Sequence, residues 1–226
     1  SIVGATRRLN PFLSHHNNNK TVTVMTTMTA RLSAMMFLQF FIWGGWFVTL
    51  GTFLSSNLGA TGGQIGMAFS TQSWGAIIAP FVIGLIADRF FNAERILAVL
   101  HLVGAVLLYQ LYRAPDFSTF YPFVLAYMMI YMPTLALVNS VAFRQMRDPA
   151  MEFSRIRVWG TVGWIVAGLV ISFVFAWDSR EMIATGGLRN TFLMSAIASL
   201  VLGLYSFTLP RTAPLKPEAG KGGIKQ

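Results

Sequence analysis

The sequence predicts an all-α integral membrane protein, built as a bundle of six transmembrane helices. The chain has 226 residues, of which 54% are hydrophobic and only 11% are charged, whereas about a quarter of the residues in a soluble domain are charged. Six apolar runs approach the roughly 20 residues that a helix needs to cross a bilayer. There is no cysteine, which excludes disulfides, thiolate metal sites and cysteine nucleophiles.

The six apolar runs fill the middle of the chain and divide it into three parts. The runs cover residues 32–54, 64–87, 96–112, 120–143, 158–177 and 191–209. We expect residues 31–209 to form the six-helix bundle and residues 210–226, rich in Pro, Lys and Gly, to be a truncated cytoplasmic linker. Residues 1–30 are expected to be a disordered or non-native segment, with a natural start at Met25 or Met28.

The basic residues between the runs predict the orientation in the membrane. The net charge is +9, but the basic residues lie in tails and short loops and not on one amphipathic face, so no nucleic-acid partner is expected. One side of the bundle carries Arg31, Arg89, Arg95, Arg144, Arg147, Arg155, Arg211, Lys216, Lys221 and Lys225. The other side carries only Arg113, Arg180 and Arg189. The positive-inside rule therefore places both termini in the cytoplasm.

The first run carries a polar and aromatic stripe. Gln39, Trp43 and Trp46 follow the i, i+4, i+7 spacing of one helix face, with Gly44 and Gly45 between them. These residues suit either helix packing with interfacial tryptophans or the lining of a polar cavity, and both readings stay open. Asn139 in the fourth run, after Pro133, is likewise either a polar contact between helices or a cavity residue.

The turn after the second run is bounded by opposite charges. Gly84 allows a close helix contact, Asp88 and Arg89 end one helix, and Glu94 and Arg95 begin the next. A solvated turn is the simpler interpretation. Our prediction is a conformational latch, in which these charges hold two helices together in one state and release them in another.

Two arginines precede the fifth run. Arg157, Thr161 and Trp164 lie at i, i+4 and i+7, so a guanidinium, a hydroxyl and an indole share one helix face. Arg155 points to nearly the opposite face and is interpreted as a topology charge. Arg157 alone could extend to the membrane interface, because a charge at a helix centre costs roughly 2.5–3.5 kcal/mol. Gly160, Gly163 and Ala167 form a small-residue stripe for close helix packing.

Together these motifs resemble a known family of transporters. Gly84, Asp88 and Arg89 resemble the loop signature of the major facilitator superfamily, although residues 90–92 (FFN) depart from its usual pattern. The match narrows with residues 38–46 (LQFFIWGGW), residues 131–135 (YMPTL) with Asn139, and residues 157–163 (RVWGTVG). These three motifs, in this order, are similar to the bacterial nucleoside:proton symporters of that superfamily. The resemblance covers residues 32–209.

The resemblance implies one six-helix half of a major facilitator fold in the bacterial inner membrane. It implies proton-coupled nucleoside uptake by alternating access, with Arg157, Thr161 and Trp164 at the substrate and Asn139, Gln39 and Trp43 as further candidates. The partners would be a nucleoside, the lipid bilayer and a missing C-terminal half. No cofactor is expected besides the proton, and because the middles of the runs contain no acid, the coupling carboxylate is expected in that missing half.

Two other functions remain open at this point. The same helices would suit a facilitator for a sugar or a small organic acid, and a non-transporting membrane receptor or assembly protein would belong to a different class. An enzyme is not expected, because the sequence shows no acid-base pair, metal cluster or nucleophile constellation.

Overall fold

The computed structural model describes residues 11–82 and 91–213, with side chains described from residue 27 to 81 and from 91 to 213. Within these residues the protein is helical throughout, and no strand occurs in them. The helices are α1 (Pro11–Phe47), α2 (Leu50–Asn57), α3 (Gly62–Val82), α4 (Ala93–Arg113), α5 (Phe117–Gln145), α6 (Pro149–Leu169), α7 (Arg180–Ala184) and α8 (Asn190–Ser206). A π-helical turn, Val170–Val174, extends α6, and a 3₁₀ turn, Gly187–Arg189, precedes α8.

Helix α1 begins before residue 31, the expected start of the bundle. Its backbone is helical from Pro11, so residues 11–30 differ from the disorder expected there. Proline is tolerated in the first turn of a helix, and neither glycine nor proline occurs again before Gly44. No residue in this stretch therefore forces the helix to end.

Five helical segments of the described chain are long and apolar enough to cross a membrane. They are Thr27–Asn57, Ala93–Arg113, Phe117–Gln145, Pro149–Val174 and Gly187–Ser206. The second apolar run forms α3, which has 21 residues, but Gln72 and Ser73 in its middle lower its hydropathy. The end of this run, residues 83–87, lies outside the described residues. The prediction of an all-α membrane bundle is confirmed.

The helices pack around α1 and α5. Helix α1 lies against α6 and α8, α4 lies against α5 and α8, and α3 lies against α5. Large apolar side chains are exposed on the outer faces, including Val99, Val103 and Val106 on α4. Their i, i+4, i+7 spacing gives α4 one apolar outer face, which suits contact with lipid.

Helix α6 approaches the backbone of α1 closely at Gly163. A Cβ atom at this position would lie 2.2 Å from the carbonyl oxygen of Phe37 and 3.1 Å from its Cα atom. The neighbouring atoms belong to the backbone, so they cannot rotate away as a side chain would. The predicted packing role of Gly163 is confirmed, and the two backbones meet because this residue has no side chain.

We expect Gly163→Ala to destabilise the protein by about 1–3 kcal/mol, the usual cost of inserting a methyl group into a closely packed contact. Thermal unfolding of the detergent-purified full-length protein measures the effect. The matched control is Gly168→Ala on the same helix, where a Cβ atom meets nothing within 4 Å. Equal melting temperatures for the two variants would contradict the close backbone contact.

Candidate functional site

Arg157 stacks on an aromatic ring of α1. Its guanidinium carbon lies 4.1 Å from the ring centroid of Phe40, within the range of a cation–π interaction. Gly160, one turn further along α6, makes room for this stack, because a Cβ atom there would lie 2.6 Å from the Phe40 ring and 2.7 Å from an Arg157 nitrogen. Arg157 is half-buried, so its charge remains within reach of a solute.

Trp164 continues the same face of α6 and meets a second aromatic residue of α1. The rings of Trp43 and Trp164 are 5.4 Å apart and nearly perpendicular, at 82°. Trp43 also contacts Tyr131 of α5, with ring centroids 5.9 Å apart. The structure therefore brings together Trp43, Trp164 and Arg157, three of the predicted site residues, and adds Phe40 and Tyr131. We call Phe40, Trp43, Tyr131, Arg157 and Trp164 the aromatic face.

Three of the predicted polar groups have no partner within the described part of the chain. Thr161, between Arg157 and Trp164 on α6, is exposed. The indole nitrogen of Trp43 and the side-chain oxygen of Asn139 are buried, and neither has a hydrogen-bond partner in residues 11–82 or 91–213. Buried polar atoms are normally paired, so a free donor and a free acceptor suit a ligand that offers both.

Gln39 takes a different position from Trp43. Its side chain is fully buried, and its amide nitrogen donates to the Thr134 hydroxyl at 2.7 Å. Its amide oxygen lies 2.7 Å from Nε2 of His101. Both ends of the amide are therefore engaged by protein in this conformation, which fits the packing reading of Gln39. Its proposed contact with substrate stays a prediction.

The predicted stripe on α1 is divided between two faces of the helix. Trp46 is fully buried, where its ring meets Tyr127 edge-on at 5.6 Å. Phe40 and Trp43, at i and i+3, are half-buried residues of α1 that contact α6. Sequence reasoning missed Phe40, and the signal that could have found it is this second spacing through Trp43.

Arg155 is separated from the aromatic face. It is exposed and lines an open groove of about 750 Å³ between α1 and α6, together with Ser33, Phe37, Glu152 and Trp159. The different surroundings of Arg155 and Arg157 agree with their separate assignments from sequence.

The structure describes two of the five predicted latch residues. Gly84, Asp88 and Arg89 lie outside the described residues. Arg95 is exposed, whereas Glu94 is buried and its carboxylate accepts a hydrogen bond from the backbone nitrogen of Thr212 at 2.8 Å.

Glu94 thus helps to hold the chain that follows α8. The backbone nitrogen of Ala93 donates to the Thr212 carbonyl at 3.1 Å, which ties Thr212 to the start of α4 in both directions. Arg144 of α5 donates to the Ala213 carbonyl. The first residues of the predicted linker are therefore fixed across the ends of α4 and α5, and the described partner of Glu94 is a backbone amide.

The site and the fold together define a helical membrane protein with an aromatic and polar face on one side of the bundle. The family described as Nucleoside H+ symporter matches residues 25–225, and the chain belongs to this family.

Relatives and solved structures agree with this assignment. The chain is 42% identical to YegT of Escherichia coli K12 over 200 residues, which cover 87% of this chain and 45% of YegT. It is 38% identical to the xanthosine permease of the same organism over 190 residues, which cover 82% of this chain and 43% of the permease. The crystal structure of the nucleoside transporter NupG (D323A mutant) superimposes with a TM-score of 0.77 at 28% identity, over 87% of this chain and 48% of that one.

The chain spans about half the length of the curated relatives that it matches. This coverage agrees with the predicted six-helix half of a major facilitator fold.

We expect Gln39→Leu to destabilise the protein by about 1–3 kcal/mol, because it leaves the buried Nε2 of His101 without a partner and removes the hydrogen bond to Thr134. Thermal unfolding of the full-length protein is the measurement. The matched control is Gln110→Leu on α4, since the half-buried Gln110 makes no side-chain hydrogen bond to the described residues. If both variants melt at the same temperature, the hydrogen bonds of Gln39 contribute nothing to stability.

Proposed function

We propose that the chain is the N-terminal half of a proton-coupled nucleoside transporter. The observation that carries this proposal is the aromatic face, where a guanidinium lies over Phe40 and two indole rings meet on the seam between α1 and α6. The names of the family and of its relatives support the same class of solute. The protein acts in transport and not in catalysis.

The chemistry of the face fits a nucleoside. The ribose hydroxyls can accept hydrogen bonds from Arg157. They can also donate to the Thr161 hydroxyl or accept from it. The base has a π-face that can stack on Trp164, and its polar edge can pair with the free groups of Trp43 and Asn139. Buried groups left unpaired by the wrong solute would cost free energy, so these contacts also favour nucleosides over solutes without a polar edge.

The mechanism we infer is alternating access between two halves. The solute lies between this half and a C-terminal half, which rock about it in the bilayer. Glu94 and Arg95, with Gly84, Asp88 and Arg89, hold one conformation at the cytoplasmic ends of the helices. A carboxylate in the C-terminal half carries the coupling proton. The location is the bacterial inner membrane, with both termini of this half in the cytoplasm, as the distribution of arginines favours.

Uptake of radiolabelled uridine by the full-length protein in proteoliposomes tests this function. We expect a proton gradient, acidic outside, to drive accumulation, because the family couples the solute to protons. Unlabelled nucleosides should compete, whereas glucose and lactate should not. Competition by a sugar or an organic acid without competition by nucleosides would establish a different facilitator. Absence of uptake with every solute would favour a receptor or assembly protein.

We expect Arg157→Ala in the full-length protein to weaken uridine binding about 10- to 100-fold, because hydrogen bonds to a charged donor contribute roughly 1.5–3 kcal/mol. Equilibrium binding of labelled uridine measures the loss. Arg155→Ala is the matched control, since Arg155 lines the separate groove and should leave binding unchanged. Unchanged affinity in Arg157→Ala would remove Arg157 from the site.

A further inference from the structure

A closed polar cluster lies behind the aromatic face, where four helices meet. Its members are Gln39 of α1, His101 of α4, Thr134 of α5 and Ser199 of α8, and we call them the His101 cluster. None of them is more than 1% exposed. A polar cluster inside a membrane protein is costly unless its groups are paired, and this one contains an imidazole that the transport mechanism above does not use.

The hydrogen bonds between Gln39, Thr134 and His101 determine where the hydrogen on Nε2 lies. Gln39 donates from its amide nitrogen to Thr134 Oγ1 at 2.7 Å, and its amide oxygen accepts from Nε2 of His101 at 2.7 Å. Nε2 of His101 must therefore carry a hydrogen. The hydroxyl of Thr134 donates in turn to the Tyr131 carbonyl at 2.5 Å. On this side of the imidazole each of these three hydrogen bonds therefore has one donor and one acceptor.

The other side of the imidazole involves Ser199. Its hydroxyl donates to the His101 carbonyl oxygen at 2.8 Å, and the same Oγ lies 3.2 Å from Nδ1 of His101. A serine hydroxyl has one hydrogen and spare lone pairs. If His101 is neutral with its hydrogen on Nε2, the carbonyl and Nδ1 compete for that single hydrogen. If Nδ1 also carries a hydrogen, it donates to Ser199 Oγ, and every group in the cluster is paired.

From this arrangement we propose that His101 is a proton-binding site in the N-terminal half, occupied during the transport cycle. The proposal rests on the proposed function and adds to it a protonatable group on this side of the transporter. Gln39 and Ser199 would recognise the proton, since each offers an oxygen to one nitrogen of the imidazolium ring.

The groups that surround His101 are uncharged. Helix α1 contributes Gln39 and α8 contributes Ser199. Helix α5 contributes Thr134 and the titratable Tyr131, whose ring is 6.1 Å from the imidazole. No acidic or basic side chain among the described residues makes a hydrogen bond or ion pair with His101. A charge on the imidazole ring would therefore be stabilised only by the dipoles of these uncharged groups. This arrangement favours reversible protonation of His101 over a permanently charged ring.

The cluster is connected to the aromatic face by direct contacts. Gln39 lies one helical turn before Trp43. Tyr131 donates its hydroxyl hydrogen to the Gln39 carbonyl at 2.7 Å and lies with its ring 5.9 Å from that of Trp43. A second proton on Nδ1 of His101 gives the ring a charge, which strengthens the hydrogen bond from Nε2 to Gln39, and Gln39 and Tyr131 adjoin the Trp43–Trp164 pair. Proton binding and solute binding can therefore favour the same arrangement of α1.

The test uses the full-length protein in proteoliposomes with His101→Gln, a side chain that keeps a donor for Gln39 but cannot carry the charge. We expect uridine exchange without a proton gradient to stay within about threefold of wild type and gradient-driven accumulation to fall about tenfold or more. A His15→Gln/His16→Gln double variant is the matched control and should retain both activities. Wild-type accumulation and proton stoichiometry in His101→Gln would overturn the proposal.

A second measurement does not depend on that variant folding. The imidazole nitrogens of His101 can be followed by NMR in a full-length variant in which every other histidine is glutamine, with and without uridine. Protonation between about pH 5 and 8 in either condition supports the site, and a ring that stays neutral throughout overturns it. If the wild-type protein carries no nucleoside at all, the proposed function fails, while this titration still decides whether His101 binds a proton.

Discussion

The contact of the α6 backbone with the α1 backbone at Gly163 is the constraint on which the rest of the site depends. In a lipid bilayer no hydrophobic driving force brings two apolar helices together, so their association relies on close packing and polar contacts. Gly163 allows the approach to the Phe37 carbonyl. The seam then continues along α6, where Gly160 leaves the space in which Arg157 lies over Phe40. The aromatic face therefore depends on two glycines, Gly160 and Gly163, which have no side chain to fill the space between the helices.

Polar contacts hold the opposite side of α1 in the same way. Gln39 contacts His101 and Thr134, so α1 is joined to α4 and α5 by side chains that lipid cannot replace. The indole of Trp43, one turn after Gln39, meets Trp164 of α6. Helix α1 is therefore fixed by packing on the side of α6 and by hydrogen bonds on the side of α4 and α5.

The sequence predicts the spans, and it places three candidate residues on one face of α6, because both depend on local patterns. Apolar length identifies the membrane helices, and the i, i+4, i+7 spacing places Arg157, Thr161 and Trp164 on one face. On α1 the same spacing does not separate the partners, since Gln39 contacts α4 and α5 while Trp43, close to it in angle, contacts α6. Periodicity gives the relative angle of two residues and not the helix that each one meets.

The pairing of Glu94 could not be predicted for a related reason. Its partner, the backbone nitrogen of Thr212, is 118 residues away. Every residue except proline has a backbone N–H, so the residue type at position 212 does not indicate this contact. The contact links the start of α4 to the chain that leaves α8. In the transporter that we propose, the charges at the start of α4 therefore act on a helix that already holds the exit of this bundle, which gives the proposed latch a route to a second half.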